Sequence, residues 1–151
     1  NSFYMTIKFS PFNPEKKIFI PEYKTPGSSG MDLSSSSDAP ILISPGTFKI
    51  IPTNLIIELP EGFEAQIRPR SGLAANLGIT VLNSPGTIDS DYRGEIKVVL
   101  INHGNKDVYI NQGDRIAQMV IVKVEKVNLI RSDNLSETSR GTGGYGSTGV
   151  N

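Results

Sequence analysis

The run Leu55-Ile56-Ile57-Glu58-Leu59-Pro60-Glu61-Gly62-Phe63-Glu64-Ala65-Gln66-Ile67-Arg68-Pro69-Arg70-Ser71-Gly72-Leu73-Ala74-Ala75-Asn76-Leu77-Gly78 decides the fold class. It opens on an apolar, β-branched burst, breaks at Pro60 and Gly62, and resumes with the alternating Glu64-Ala65-Gln66-Ile67. Short bursts bounded by turn residues read as strands. The closing piece predicts a helix of two turns at most over Ser71–Leu77, with a serine at its start and Gly78 at its stop. Similar bursts recur at Ile18-Phe19-Ile20, Ile41-Leu42-Ile43, Phe48-Lys49-Ile50-Ile51, Glu95 to Asn102, Asp107 to Ile110 and Ile116 to Val124. Ile and Val number 27 against 5 Ala, and Gly plus Pro supply 25 of 151 residues, a composition that suits strands and turns. The expectation is an all-β sandwich, barrel or jelly roll with one short helix.

The remainder of the chain bounds the chemistry. All ten prolines lie at or before Pro85, and residues 131–151 are Ser-, Thr-, Asn- and Gly-rich with almost nothing apolar. The sequence therefore predicts a β domain over residues 1–130 and a mobile, Gly-rich C-terminal arm over 131–151. With no cysteine and one histidine, His103, thiolate zinc sites, thiol nucleophiles and multi-histidine metal sites are excluded. His103 itself, in Asn102-His103-Gly104-Asn105, reads as a hairpin-turn residue. Fifteen basic against fifteen acidic side chains argue against stable nucleic-acid binding, which needs excess cations on phosphates. No apolar run approaches the roughly 18 residues of a membrane span, and no signal-peptide pattern opens the chain, so a soluble, cytoplasmic protein with no membrane partner is expected.

Three segments carry candidate chemistry. In Arg68-Pro69-Arg70-Ser71-Gly72-Leu73-Ala74 two arginines precede the helix start, where free N–H groups already favour an anion. The glycine admits an oxyanion to the backbone and the serine adds a donor. In Gly86-Thr87-Ile88-Asp89-Ser90-Asp91-Tyr92-Arg93-Gly94 two carboxylates and a tyrosine share a turn that could rim a hairpin, offering a general base or a metal ligand. An ordinary Asp-rich turn is the plainer reading. Gly141-Thr142-Gly143-Gly144-Tyr145-Gly146 matches a dinucleotide-binding expression, but no strand precedes it and no helix follows. It reads better as a lid, with Arg140 for a phosphate and Tyr145 for a base, against the plainer reading of a disordered tail.

Taken together these segments resemble the five ordered motifs of the trimeric dUTP pyrophosphatases, the dUTPases. The first is similar to Ser28-Ser29-Gly30-Met31-Asp32-Leu33 and the second to Pro69-Arg70-Ser71-Gly72-Leu73-Ala74. The third runs from Asn83-Ser84-Pro85-Gly86-Thr87 through Ile88-Asp89-Ser90-Asp91-Tyr92-Arg93-Gly94-Glu95. The fourth is Gly113-Asp114-Arg115-Ile116-Ala117-Gln118-Met119, and the fifth runs from Arg140 to Gly149. Ser29 stands where the family often has Ala, and Tyr145 where it often has Phe.

The resemblance implies a jelly-roll (β-clip) subunit, a homotrimer with active sites shared between subunits, and hydrolysis of dUTP to dUMP and pyrophosphate with magnesium. Such an enzyme limits uracil in DNA and supplies dUMP for dTMP synthesis. By position, the resemblance makes Asp89 the general base and sets Tyr92 against the deoxyribose. Asn83, with the motif-three backbone at Gly86, Thr87 and Ile88, would read the uracil. Arg70, Ser71, Gly72 and Gln118 would hold the triphosphate and Arg140 the γ-phosphate. Tyr145 and Gly146 would close over the base, and Asp32 would meet magnesium through water. Asp89 beside Asp91 in a closing, water-poor site suits general-base work, typically a factor of roughly 10² to 10⁴. Two alternatives are a dCTP deaminase-like enzyme of the same fold, whose catalytic Glu position falls on Val99 here, and a non-catalytic trimeric scaffold.

Overall fold

The computed structural model describes residues 4–149. Among them, ten strands and one helix follow in the order β1 (Lys8–Pro11), β2 (Met31–Ser34), β3 (Ile41–Ile43), β4 (Phe48–Glu58), β5 (Phe63–Arg68), α1 (Ser71–Leu77), β6 (Ile79–Val81), β7 (Gly86–Ile88), β8 (Ile96–Asn102), β9 (Val108–Ile110) and β10 (Arg115–Lys123). Two four-stranded antiparallel sheets, β1-β4-β8-β6 and β2-β10-β5-β7, are joined by a two-stranded sheet, β3-β9. Successive strands cross repeatedly from one sheet to another, as in a jelly roll. Burial alternates along β8 and β5, so Ile96, Val98 and Leu100 from one sheet meet Ala65 and Ile67 from the other in a single core. Each fully buried Ile or Leu contributes about 1.5–3 kcal/mol by leaving water.

The helix occupies the predicted span, but its cap differs. Arg70, with extended φ −89° and ψ 129°, holds the N-cap position without a side-chain bond, and Ser71 is already helical. The stop is as expected, because Gly78 takes φ 69°, a left-handed turn that a side chain disfavours, and donates to Ala74 O. Pro52-Thr53-Asn54 reads as a break between two strands, yet β4 runs through it. The pairing with β8 shifts register between Pro52 and Leu55, and the bulge absorbs a proline that has no N–H to give. The burst Ile18-Phe19-Ile20 is not a strand, since the carbonyls of Lys16 and Lys17 just before it accept from the Asn54 side chain instead of a neighbouring strand. The segment after β7 is not a hairpin rim either. β7 pairs with β5 in one sheet, and the chain then crosses to β8 in the other.

His103 lies in the connection from β8 to β9, its N–H donating to Gly78 O at 2.9 Å. The connection is held by Asn102, a fully buried amide at the end of β8. Its Nδ2 donates to Ile43 O at 2.9 Å and to Lys106 O at 2.7 Å, and its Oδ1 accepts from Gly104 N at 2.8 Å. Asn102→Leu would orphan these buried groups, and the expected loss is about 2–4 kcal/mol of stability, read as a lower midpoint in urea unfolding.

Candidate active site

The sheet β2-β10-β5-β7 gathers four of the five motif segments. Gln118 pairs with Asp32 of β2 on one side and with Arg68 of β5 on the other. The strand pairing therefore brings together residues far apart in the chain. Arg70 Nε lies 3.3 Å from Asp32 Oδ1, and Arg115 Nη1 lies 3.4 Å from Asp32 Oδ2. Arg70 Nη1 also donates to Arg115 O at 3.3 Å, and Gln118 Nε2 donates to Pro69 O at 3.0 Å. Asp32 is largely shielded, at 18% side-chain exposure against 48% for Arg115. One carboxylate against two guanidinium groups leaves a net positive charge at the start of α1. There the first-turn N–H groups have no helical acceptor, and a side chain added at Gly72 would meet only open space. Such an arrangement of donors and charge suits an anion with several oxygens.

Close packing explains one glycine in it. A side chain at Gly30 would lie 2.6 Å from Gln118 Oε1 and 3.2 Å from Gln118 Cβ, so only glycine leaves Gln118 its place.

The motif-three residues form a second group. Gly86, Thr87 and Ile88 pair with Ile67, Gln66 and Ala65. A Cβ on Gly86 would come within 3.2 Å of Ile67 Cβ and 3.5 Å of Asn83 Nδ2, so Asn83 sits close over this strand start. Because β7 runs antiparallel to β5, Ile88 falls opposite Ala65, three residues (roughly 10 Å along a strand) before Arg68. Asp89 and Tyr92 lie beyond it, in the exposed turn Tyr92 N–H to Asp89 O, 3.2 Å. Within one chain, then, Asp32, Arg70, Ser71, Gly72 and Gln118 meet, while the register carries Asp89 and Tyr92 away from them.

Arg140, Tyr145 and Gly146 form a third, separate group. Among the described residues, the hydrogen bonds and ion pairs of residues 131–149 are internal to that segment, including Arg140 Nε to Gly143 O at 2.8 Å. Tyr145 is wholly exposed, with φ 51°. Sequence reasoning left Arg115 without a role. Its signals were its place beside Asp114 in a turn-like segment and within the fourth motif, and its partner Asp32 is 83 positions away.

These features define a jelly-roll β domain with a positively charged corner at the start of α1. The chain belongs to the dUTPase family, whose model matches residues 16–149. It is 58% identical over 135 residues to the deoxyuridine 5'-triphosphate nucleotidohydrolase of Neorickettsia sennetsu, covering 89% of this chain and 91% of that protein. The protein of the same name in Rickettsia bellii is 62% identical, with 87% of each chain covered. That of Maricaulis maris is 52% identical, covering 95% of this chain and 96% of the relative. Among solved structures, the dUTPase of Staphylococcus bacteriophage 80alpha with dUpNHpp superposes with a TM-score of 0.86 at 22% identity, over 96% of this chain and 99% of that one. A mutant dUTPase of phage phi11, described for its structural Mg(II) ion, gives 0.77 at 20% identity, over 86% and 98%. At these identities the structures bear on the fold alone.

Arg70→Gln keeps the backbone of α1 but removes the charge and fork geometry. The expected outcome is at least tenfold weaker pyrophosphate binding by calorimetry, the scale of one charge-assisted hydrogen bond at roughly 1.5–3 kcal/mol.

Proposed function

We propose that this protein hydrolyses dUTP to dUMP and pyrophosphate, limiting uracil in DNA and supplying dUMP for dTMP synthesis. Family membership over residues 16–149 carries the reading, and the convergence of Asp32, Arg70, Arg115 and Gln118 supports it as the triphosphate end of the site. Arg70, with Ser71 and Gly72, takes the phosphate oxygens, and Gln118, anchored on Pro69 O, adds an amide donor. Asn83 and the backbone of Gly86, Thr87 and Ile88 read the uracil edge, and the Tyr92 ring lies against the deoxyribose. Asp89 accepts a proton from water as its oxygen attacks the α-phosphorus. The bond from that phosphorus to the bridging oxygen breaks, and pyrophosphate leaves.

Magnesium fits this chemistry. Among the described residues no three His, Cys, Asp or Glu side chains group as metal ligands, and Asp32 is already held by two arginines. A magnesium ion here would take most of its ligands from phosphate oxygens and water, as magnesium prefers, and Asp32 would meet it through water. When bound it neutralises phosphate charge.

The working unit in this reading is a homotrimer with shared sites. One chain holds its phosphate corner and its Asp89 turn apart along the β5–β7 edge, so a complete site draws on more than one subunit. Val127, Leu129 and Ile130 are 76–95% exposed, and a groove of about 360 Å³ lined by Ile7, Phe9, Ile20, Met31 and Ile121 stands open to receive apolar side chains. Residues 131–151, of which 150 and 151 lie outside the described residues, act as the closing arm, with Arg140 on the γ-phosphate and Tyr145 and Gly146 over the base. No helix among the described residues is long and apolar enough to cross a membrane, and a cytoplasmic location suits a substrate of the nucleotide pool. A deaminase would need a proton carrier at Val99, which is an apolar strand residue of β8.

The decisive assay is pyrophosphate release from dUTP, dCTP, dTTP and UTP with magnesium, wild type beside Asp89→Asn. Release confined to dUTP, and lowered roughly 10² to 10⁴-fold in the variant, is expected; ammonia from dCTP, or a folded but silent wild type, contradicts the reading. Truncation before Arg140 should leave the β domain folded by circular dichroism with most turnover lost, and near-normal turnover would remove the lid role.

A further inference from the structure

The bulge in β4 leaves a backbone problem whose solution reaches the candidate site. Asn54 sits in the register shift between Pro52 and Leu55, in a left-handed conformation at φ 59° and 2% exposed. Its N–H has no strand partner there, and a buried N–H without an acceptor is costly. The acceptor is the Glu95 carboxylate, with Oε2 at 2.9 Å. The Asn54 side chain is itself locked, accepting from Asn13 N at 2.7 Å and donating to the carbonyls of Asn13, Lys16 and Lys17. The neighbouring Thr53 hydroxyl donates to Ile96 O at 2.6 Å. Glu95 is thus tied by its side chain, and its successor by its carbonyl, to a rigid buried bulge.

The other end of this strut is Tyr92. Its hydroxyl donates to Glu95 O at 2.9 Å, and its ring lies over the Gly94 backbone. A side chain added at Gly94 would fall 2.5 Å from Tyr92 Cζ and 2.8 Å from Cε1 and would also strike the hydroxyl oxygen, so glycine is what lets the ring lie there. Tyr92 remains 43% exposed, which leaves ring surface free for a ligand.

We propose that Glu95 is a positioning residue for sugar discrimination, fixing through its Asn54 contact the carbonyl that holds the Tyr92 ring. This rests on the reading of Tyr92 as the group that meets the deoxyribose. A ring tethered at both its backbone and its hydroxyl cannot swing aside for a 2′-hydroxyl, whereas an untethered ring can.

The test is kcat/KM for dUTP and for UTP in wild type, Glu95→Ala, Glu95→Gln, Tyr92→Phe, the Glu95→Ala/Tyr92→Phe double variant and Tyr92→Ala. Because both substrates are measured on one preparation, partial loss of folded protein cancels in their ratio. Glu95→Ala and Tyr92→Phe should each lower the dUTP-to-UTP ratio roughly fivefold to tenfold, the scale of one hydrogen bond, and the double variant no further. Glu95→Gln, which keeps an oxygen for Asn54 N–H, should restore most of it. Should Glu95→Ala not fold, Glu95→Asp, one methylene short of Asn54, takes its place with the same expectation. A wild-type ratio in the Glu95 variant or in Tyr92→Phe, with the ratio lost in Tyr92→Ala, overturns the positioning role and leaves the sugar contact standing. An unchanged ratio in Tyr92→Ala overturns the sugar contact and the proposal together.

Discussion

The register between β5 and β10, from Gln118 opposite Arg68 to Lys123 opposite Phe63, is the constraint on which the structure depends. Side chains alternate across a sheet, so a slip by one residue would turn Ala65 and Ile67 out of the core and reverse the facing of Gln118. The same six pairs that bury the centre of the sheet also fix where Pro69 O meets the Gln118 amide and where Arg70 begins the helix. Core packing and the placing of the candidate anion-binding residues are consequences of one hydrogen-bonded ladder. The hydrophobic side chains hold the register, and the register aims the polar ones.

Electrostatics in this corner follow from that aim. Asp32 serves both arginines, one from the start of the helix and one from the start of β10, and keeps like charges close that would otherwise repel. For the proposed phosphate role the arrangement is preorganised, since the guanidinium groups already sit against an acceptor. The two halves of the proposed site lie along the β5–β7 edge because β7 adds to the sheet antiparallel. A parallel strand would have placed its far end beside Arg68.

Much of this was legible in the sequence where the signal was local. The helix span over Ser71–Leu77 was set by Gly78, whose left-handed turn needs no distant partner. The Ile- and Val-rich bursts of β8 and β10 announced themselves, because strands buried on one face need them. By contrast β1, β2 and β7 are three or four residues long and carry Lys8, Asp32 or Gly86, so only their partners make them strands. Pro52-Thr53-Asn54 looked like a turn since the acceptor that satisfies its bulge, the Glu95 carboxylate, lies 41 positions away. The candidate phosphate-binding residues Arg70, Ser71 and Gly72 are consecutive and could be read together. The link from Arg115 to Asp32, and that from Asn54 through Glu95 to Tyr92, joined strands whose pairing no spacing reveals.

The exposed stretch Val127-Asn128-Leu129-Ile130 follows the last strand with no strand partner among the described residues. A short, β-prone apolar segment of this kind is also a template for unwanted stacking with any other unfinished chain. It is bracketed by Glu125 and Lys126 on one side and by Arg131 and Asp133 on the other. Charges so placed slow indiscriminate aggregation without blocking a partner that offers a shaped groove. In the proposed trimer, a newly made subunit would be in a race between correct docking and sticking, and these four flanking charges would tilt it toward docking.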